Sequence, residues 1–176
     1  FCKSLLVCVF AVMVIGACSG VGVIRGIIAS APTIDDIVAT PTGFLSTVLD
    51  ANGNQTATLV ASGSNRRAVT IDEIPKNLQH AFVAIEDERF YEHNGIDVTG
   101  IIRAGVKGVA SGFHFSEGAS TITQQLLKNT VFTSWTSESS MADKFERKFQ
   151  EQYLALQLEK VVDKDWILEN YLNAIN

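Results

Sequence analysis

The run KNLQHAFVAIEDERFYEHNG occupies residues 76–95 and marks the point at which the chain becomes helical. Leu78, Phe82 and Ile85 recur within it at helical spacing, and a proline directly before it is typical of a helix start. We therefore predict a helix over residues 76–91, closed by a glycine in the left-handed conformation.

The same run contains a candidate catalytic carboxylate, Glu86. It stands three residues from Val83 and four from Phe90, so on a helix the three side chains share one face. A carboxyl group between apolar side chains is desolvated, which favours the neutral form useful to a general base. The spacing alone does not separate this interpretation from an ordinary surface helix with solvated acidic residues.

Four later segments also show helical periodicity, and three of them have a residue near the start that can cap a helix. Two carry apolar residues that we predict to form one packed face. The predicted helices are 97–110 (capped by Asp97, with Ile101, Ile102, Val106 and Val109 buried), 121–129 (capped by Ser120), 141–162 (with Phe145, Phe149, Tyr153 and Leu156 on one face) and 163–172 (capped by Asp163).

The N-terminal part contains an uncharged run, LLVCVFAVMVIGACSGVGVI, from Leu5 to Ile24. At a rise of about 1.5 Å per residue it spans roughly the 30 Å hydrocarbon core of a bilayer, which predicts a single transmembrane helix. Lys3 and Arg25 flank the run, so local charge does not orient it. The alternative is a lipoprotein signal that ends at Cys18, but the apolar run continues past that residue.

Composition narrows the function classes. The formal net charge is −5 without a cluster of Lys and Arg, which argues against nucleic acid as a partner. All three cysteines lie in or beside the apolar run, so we expect neither a disulfide framework nor a thiolate metal site elsewhere. No Gly-rich nucleotide loop is present, and no organic cofactor is expected.

The domain organisation follows from these segments. Two β-favouring runs, 46–50 and 56–61, flank an Asn-Gly pair, which predicts a β-hairpin. The chain begins at Phe1 and stops at Asn176 inside an apolar stretch without a helix-stop signal, so we interpret it as a fragment. We predict an anchor at residues 1–28, a linker with the hairpin at 29–73, and a helical domain at 74–176 that is truncated at its C-terminus.

A run rich in hydroxyl and amide groups, EGASTITQQLLKN, covers residues 117–129. Its first residues can be explained as a helix N-cap alone, but a cap does not require the adjacent glutamines Gln124 and Gln125. A helix N-terminus offers unpaired N–H groups and the positive end of the helix dipole, which suit a phosphate group.

A second carboxylate follows in ERKFQEQ, residues 146–152. Lys148 and Glu151 share a helix face, and Arg147 stands four residues before Glu151. A surface ion pair explains this spacing when it is taken alone. The functional interpretation is a cation for an anionic leaving group beside a carboxylate. With Glu86, Glu151 forms a carboxylate pair around a hydroxyl-rich loop, which suggests sugar chemistry.

Four ordered blocks, EDERFYEHNG, GASTITQQLLKN, RKFQE and KDWILENYLN, resemble the motifs of the peptidoglycan glycosyltransferases (glycosyltransferase family 51). This family comprises the glycosyltransferase domains of class A penicillin-binding proteins and the monofunctional transglycosylases, which carry an N-terminal membrane anchor. The resemblance covers residues 74–176. It implies a mainly α, lysozyme-like helical domain with a small N-terminal β-hairpin, preceded by a single transmembrane helix.

The resemblance also implies roles for individual residues. Glu86 matches the general base that removes a proton from the 4-hydroxyl of the acceptor lipid II. That hydroxyl attacks the anomeric carbon of the growing glycan chain with inversion and expels undecaprenyl pyrophosphate. Glu151 matches a carboxylate that handles the pyrophosphate with its neighbouring cations, directly or through Mg²⁺ or Mn²⁺. The matching substrate-binding residues are Asp87, Phe90, His93, Gly95, Ser120, Gln124, Gln125, Lys128, Arg147, Lys148, Tyr171 and Asn173.

The implied partners are lipid II, the growing glycan chain, the bilayer, and proteins of cell-wall synthesis and division. The implied location is the bacterial cell membrane, with one span and an extracytoplasmic catalytic domain. Two departures from the family pattern are visible. Lys144 is the one candidate for a basic residue common between the second and third motifs, and the family's downstream motif lies beyond Asn176. The fragment alone therefore need not be active.

Two other functions fit part of the pattern. A membrane-anchored lysozyme-like hydrolase or lytic transglycosylase would share the fold and a catalytic glutamate, but would release muropeptides from finished wall. A non-catalytic wall-binding module would leave the Glu86 and Glu151 pair without a purpose. The residues around Gln124 and Lys148 favour a pyrophosphate leaving group, and hence synthesis.

Overall fold

The computed structural model describes residues 2–33, 46–59, 67–112, 118–132, 135–136 and 138–175. This described part is mainly helical with a small two-stranded hairpin, which confirms the predicted fold class. The elements are α1 (Cys2–Ala29), β1 (Ser46–Leu49), β2 (Gln55–Leu59), a 3₁₀ turn (Ile71–Glu73), α2 (Lys76–Glu86), α3 (Val98–Ala110), α4 (Ile122–Thr130), α5 (Met141–Leu158) and α6 (Lys164–Ala174).

The first helix contains the apolar run that we expected to cross a membrane. Its stretch Val12–Ala29 is long and apolar enough to span a bilayer, and none of that stretch is buried by the rest of the structure. Cys18, the residue of the lipoprotein alternative, lies exposed within this unbroken helix. The last turn of α1 contacts α5. A helix of this kind is consistent with membrane anchoring.

The predicted hairpin is confirmed. β1 and β2 pair antiparallel, with Ser46 opposite Leu59. The Asp50 carboxylate closes the turn by accepting from the backbone N–H of Asn52 and of Asn54, each at 2.8 Å. Gly53 has a φ of 85°, a conformation that glycine adopts without steric cost. The predicted linker residues 34–41 and loop residues 62–66 lie outside the described part of the chain.

The hydrophobic core lies where α4, α5 and α6 meet. α4 contacts both other helices, and the segment between α2 and α3 adds the fully buried ring of Phe90. Burying these apolar side chains supplies the main driving force for folding this region. The largest buried apolar side chains are Phe90, Ile122, Leu127, Leu154, Leu158, Ile167 and Leu168.

The helix predicted over residues 76–91 ends earlier, at Glu86, and that part of the prediction is wrong. Asp87 has φ −157° and ψ 74°, which is not helical, and the chain continues through turns to Gly95. Phe90 therefore lies off the helix, and Glu86 is exposed rather than desolvated between Val83 and Phe90. The physical reason is tertiary: the Asp87 carboxylate bonds to the start of α4, outside the reach of local periodicity.

Two predicted apolar faces are also wrong. The proposed buried stripe of α3 is exposed, with Ile102, Val106 and Val109 each about 60% accessible (61%, 65% and 59%), and the buried positions of α3 are glycines. α5 ends at Leu158 instead of Val162, and the buried face is formed by Gln150, Glu151, Leu154, Ala155 and Leu158. Because two residues of that face are polar, the spacing of apolar residues did not identify it as the buried face.

The helix caps were predicted at three positions, of which two are confirmed. Asp97 accepts from Gly100 N–H and caps α3, and Asp163 accepts from Trp166 N–H and caps α6. The cap of α4 is Thr121 rather than Ser120. Because Ser120 does not cap the helix, its hydroxyl is available to another partner, and it accepts a hydrogen bond from Lys148 Nζ.

Candidate active site

A cavity of about 340 Å³ lies between α4 and α5, and we call it the cation cleft. The loop before α4 and the first two turns of α4 supply one wall, and the middle of α5 supplies the other. Every lining residue had been predicted as a site residue from the sequence. The lining residues are Ser120, Gln124, Gln125, Lys128, Arg147, Lys148 and Glu151.

A smaller cavity of about 120 Å³ adjoins the cation cleft, and we call it the Glu86 pocket. Glu86 and Asp87 line it from the end of α2, and Arg103 lines it from α3. Ser120 lines both cavities, so they meet at the N-terminal end of α4. A substrate that occupies both would place one end near the Glu86 carboxylate and the other near the cations.

Glu86 is held by a row of side chains that crosses the site. Gln125 Nε2 donates to Glu86 Oε2 at 2.9 Å, and the Tyr171 hydroxyl donates to Gln125 Oε1 at 3.3 Å. Because Tyr171 occupies the amide oxygen, the amide NH₂ of Gln125 faces Glu86. The structure thereby brings together three predicted site residues from the first, second and fourth motifs.

Tyr171 remains a hydrogen-bond donor in this row. Burial raises its pKa, and the nearby negative charge of Glu86 adds to the effect, so the pKa rises to about 12. The phenol therefore stays protonated at neutral pH and keeps donating to Gln125. The Glu86 carboxylate itself is exposed, so a hydroxyl of a substrate can reach it.

Asp87 fixes the first motif to α4. Its Oδ2 accepts from the backbone N–H of Ile122 at 3.0 Å, and both carboxylate oxygens lie 3.0 Å from His93 Nε2. Ile122 is the first residue of α4, where N–H groups lack helical partners. The buried carboxylate satisfies one of these donors, which places Glu86, the preceding residue, beside the cation cleft.

Gly95 is needed where the first motif crosses α5. Its φ of 92° favours glycine, and a Cβ atom would lie 2.6 Å from both the carbonyl carbon and oxygen of Ala155. Its carbonyl oxygen accepts from Thr121 Oγ1 at 2.8 Å, next to the cap of α4. Phe90 and His93 also pack inside this segment, with ring centroids 6.4 Å apart. These residues do not line the cation cleft, and they support the site by packing the first motif against α4 and α5.

The carboxylate of Glu151 is fully buried and joined to two cations. One oxygen pairs with Arg147 and the other lies 2.9 Å from Lys148 Nζ. Lys148 Nζ also donates to Ser120 Oγ at 2.8 Å, and its side chain remains 40% accessible. Glu151 thus holds both basic side chains in place, and the exposed part of Lys148 faces the cation cleft.

Arg147 has a second acidic partner, Glu138, which the sequence did not indicate. Arg147 Nε donates to the two Glu138 oxygens at 2.8 and 3.0 Å. Burial alone would lower the pKa of Arg147, but the hydrogen bond that Arg147 donates to Glu138 and the negative charge of Glu151 raise it. Glu138 stands in a Ser/Thr-rich stretch without periodicity, and no local signal could have assigned it to the site.

Lys128 lines the cation cleft, whereas Asn173 does not. Lys128 Nζ sits 3.6 Å from the ring centroid of Trp135, a cation–π contact beside the cation cleft. The Asn173 side chain accepts from Val69 N–H at 3.0 Å and donates to Val69 C=O at 2.8 Å, so it clamps the segment before α2.

The residues around Glu151 do not fit the divalent metal that the motif resemblance implied. Both carboxylate oxygens already face basic side chains, and the other lining residues are amides, a hydroxyl and cations. Among the described residues, no group of three His, Cys, Asp or Glu side chains is placed to hold a metal ion. Mg²⁺ binds through oxygen ligands in near-octahedral geometry, and both Glu151 oxygens are already paired with Arg147 and Lys148.

Comparisons with known proteins agree with the motif resemblance. A family model described as Transglycosylase matches residues 52–176. Penicillin-binding protein 1A of Clostridium perfringens (strain 13 / Type A) is 44% identical over 178 residues, which cover 99% of this chain and 24% of that protein. Penicillin-binding protein 1A/1B of Bacillus subtilis (strain 168) is 40% identical over 174 residues, covering 98% and 18%.

The chain thus spans about a quarter or less of the length of these curated relatives. The family match includes the hairpin turn as well as the helical region, and its C-terminal part contains all four motifs. The ordered motifs, the adjoining cavities and the family match lead to one conclusion. The chain belongs to the transglycosylase family, whose peptidoglycan glycosyltransferases its sequence resembles.

Proposed function

We propose that this chain carries the donor and acceptor sites of a peptidoglycan glycosyltransferase that polymerises lipid II in bacterial cell-wall synthesis. The observation that supports this most strongly is the placement of an exposed carboxylate, Glu86, beside a cleft lined by Lys128, Arg147 and Lys148. A reaction that removes a proton at one end and releases a pyrophosphate at the other needs this pairing of charges.

In the proposed reaction, Glu86 accepts the proton of the acceptor's 4-hydroxyl as the oxygen attacks the anomeric carbon of the donor. The bond between that carbon and the pyrophosphate oxygen breaks, with inversion. Undecaprenyl pyrophosphate leaves with the electron pair. Gln125 orients Glu86, while Lys148 offsets the charge that develops on the leaving group.

Glu151 takes a positioning role in this proposal. Its two oxygens are occupied by Arg147 and Lys148, so it is not available as a second general acid, general base or nucleophile. This distinguishes the site from a hydrolase with two working carboxylates. The hydrolase alternative therefore has less support from the geometry than glycan synthesis.

The proposal includes the location and partners. We propose that the protein lies in the cell membrane with one span and that its helical domain is extracytoplasmic, which a candidate span in α1 and a lipid-linked substrate support. The bilayer and the growing glycan chain are direct partners, and proteins of cell-wall synthesis and division are expected ones. A reporter fused after Asn176 should be active only outside the cytoplasm, and a cytoplasmic signal alone would contradict this topology.

The test is an assay of full-length protein with labelled lipid II. We expect elongating glycan strands and equimolar release of undecaprenyl pyrophosphate. The matched comparison is purified finished cell wall, from which the protein should release no muropeptides. Release of muropeptides without consumption of lipid II would favour the hydrolase instead. Tight binding of lipid II without turnover would favour a wall-binding module.

A further inference from the structure

The last turn of α1 is hydrogen-bonded to the helix that carries the cations. Gln150 Nε2 donates to the backbone oxygen of Ile27 at 3.1 Å and to Ser30 Oγ at 3.0 Å. The Ser30 hydroxyl lies within hydrogen-bond distance of two acceptors, the Ile27 oxygen at 3.0 Å and Glu146 Oε1 at 3.1 Å, and it donates to one of them at a time. Ala31, two residues after the end of α1, packs against the hydrophobic core. The candidate membrane helix is therefore joined to the domain by named contacts.

Gln150 is a polar residue at a buried position of α5, where packing alone would favour an apolar side chain. Its side chain belongs to the buried face of α5, with 7% of the residue accessible, and burying an amide is costly unless it is hydrogen-bonded. The last carbonyl groups of a helix lack helical partners, and the Ile27 oxygen is one of these. Gln150 thus satisfies its side-chain NH₂ group by capping the end of α1, where the Ser30 hydroxyl is a second donor to the Ile27 oxygen.

The same short stretch of α5 also faces the cation cleft. Glu146 and Gln150 stand four residues apart and meet α1, while Arg147 and Glu151 follow each by one residue. One residue corresponds to about 100° around a helix, so the two pairs form adjacent strips on one rigid element. Any change in the angle between α1 and α5 therefore moves the cation cleft relative to α1.

We propose that Gln150 is a positioning residue that fixes the height and orientation of the cation cleft against the membrane surface. This inference rests on the proposed function, because height matters for a donor that its lipid tail holds in the bilayer. The candidate span ends at Ala29, and the Gln150 contacts lie on Ile27 and Ser30. The joint therefore lies at the level where α1 leaves the hydrocarbon, near the depth of lipid phosphates.

The test compares two donors in the same proteoliposomes of phosphatidylglycerol and full-length protein. One donor carries the long polyprenyl tail and resides in the bilayer, and the other has the same sugars and pyrophosphate on a short, water-soluble tail. Gln150→Leu should lower kcat/KM about tenfold for the membrane donor, mainly through KM, and leave the soluble donor within about twofold. Gln152→Leu is the matched control, because it lies about 200° away on the same helix.

A second variant covers the risk that the buried substitution disturbs α5. Ser30→Ala removes a partner of Gln150 from an exposed position on the other side of the joint. It should shift the membrane donor in the same direction by a smaller factor. Equal losses with both donors in the Gln150 and Ser30 variants would overturn the inference, as would wild-type kinetics in both.

A readout without turnover separates this inference from the proposed function. Trp166 lies outside α1, so the part of the energy transfer to dansyl-labelled lipid headgroups that Trp166→Phe removes reports the height of the domain, whatever other tryptophans the full-length protein contains. Gln150→Leu should change this transfer and Gln152→Leu should not. An unchanged transfer in Gln150→Leu would overturn the positioning role. A wild-type protein that polymerises neither donor would contradict the proposed function, and the energy transfer would still decide the role of Gln150.

Discussion

Gln125 Nε2 donates a hydrogen bond of 2.9 Å to Glu86 Oε2, and this contact joins residues 39 positions apart in the sequence. The exposed carboxylate at the end of α2 thereby gains a fixed orientation at the edge of the cation cleft. A base on an exposed helix end would otherwise sample several rotamers, and each misaligned one lowers the chance of proton transfer. Gln125 is therefore expected to matter for rate as much as for binding.

Replacing Gln125 with Leu tests this relationship. The change removes the donor to Glu86 while keeping a side chain of similar size in a half-buried position. Because hydrogen bonds to charged groups contribute about 1.5–3 kcal/mol, we expect lipid II polymerisation to slow by about ten- to a hundredfold. Gln152→Leu on α5 is the control and should retain the wild-type rate. Wild-type polymerisation by Gln125→Leu would show that Glu86 does not need this contact.

The raised pKa of Tyr171 predicts how the stability of the protein changes at alkaline pH. Its folded-state pKa is raised from 10.0 to about 12, so folding favours the neutral phenol. This contribution to stability is complete below pH 10 and is lost as the pH rises from 10 toward 12. Tyr171→Phe should therefore flatten the fall of Tm between pH 9.5 and 11. Tyr153→Phe serves as the comparison, and an identical alkaline slope in wild type and Tyr171→Phe would contradict the assignment.

Glu151→Gln tests the buried carboxylate. The substitution leaves Arg147 and Lys148 without their shared partner, and breaking such a buried pair costs about 3 kcal/mol of unfolding free energy. We expect a loss of that size in denaturant titrations, with little change for the exposed Glu92→Gln. Since the site does not fit a divalent ion, the dependence of rate on Mg²⁺ should keep its shape. A weakened Mg²⁺ dependence in Glu151→Gln would mean that this carboxylate does hold a metal.

Two glycines with positive φ provide a matched stability test. At Gly95 a Cβ atom would meet the Ala155 carbonyl at 2.6 Å, whereas at Gly53, with φ 85°, nothing lies within 4 Å. Gly53→Ala should cost about 1 kcal/mol from backbone strain alone. Gly95→Ala adds a backbone clash and should cost about 3 kcal/mol or more. Similar unfolding free energies for the two variants would argue against the close approach of the first motif to α5.

The sequence predicted the apolar N-terminal helix, the hairpin and the order of the helices because each depends on local pattern. The seven residues that line the cation cleft were predicted through the second and third motifs, and the structure brings all seven around one cavity. Asn173 was predicted to bind substrate with the others, and in the structure its side chain hydrogen-bonds to the backbone of Val69. A motif match identifies a residue as part of the pattern without distinguishing cleft lining from scaffold.

The wrong predictions of buried faces and helix ends share a cause: hydrophobic periodicity does not show which other elements a helix contacts in the fold. The apolar positions of α3 were predicted to be buried, yet they are exposed in the described structure. The packed face of α5 contains Gln150, whose partner lies on α1, and Glu151, whose partners lie within α5. Because both residues are polar, the local sequence pattern does not predict that they are buried. The early end of α2 depends on the contact of Asp87 with Ile122, 35 residues away.

The central claim is that Glu86 is the general base, and Glu86→Gln in full-length protein tests it most directly. The amide keeps the size of the side chain but cannot accept the proton, and loss of a general base typically costs about 10²–10⁴ in rate. Glu88→Gln is the control, because this exposed neighbour carries the same charge. The measurement is single-turnover polymerisation of labelled lipid II, with binding of a pyrophosphate-containing donor analogue in parallel. The account predicts a Glu86→Gln rate at least about a hundredfold lower, donor binding within about threefold of wild type, and a Glu88→Gln variant that retains most activity. A wild-type rate in Glu86→Gln, or equal inactivity of Glu88→Gln, would contradict it.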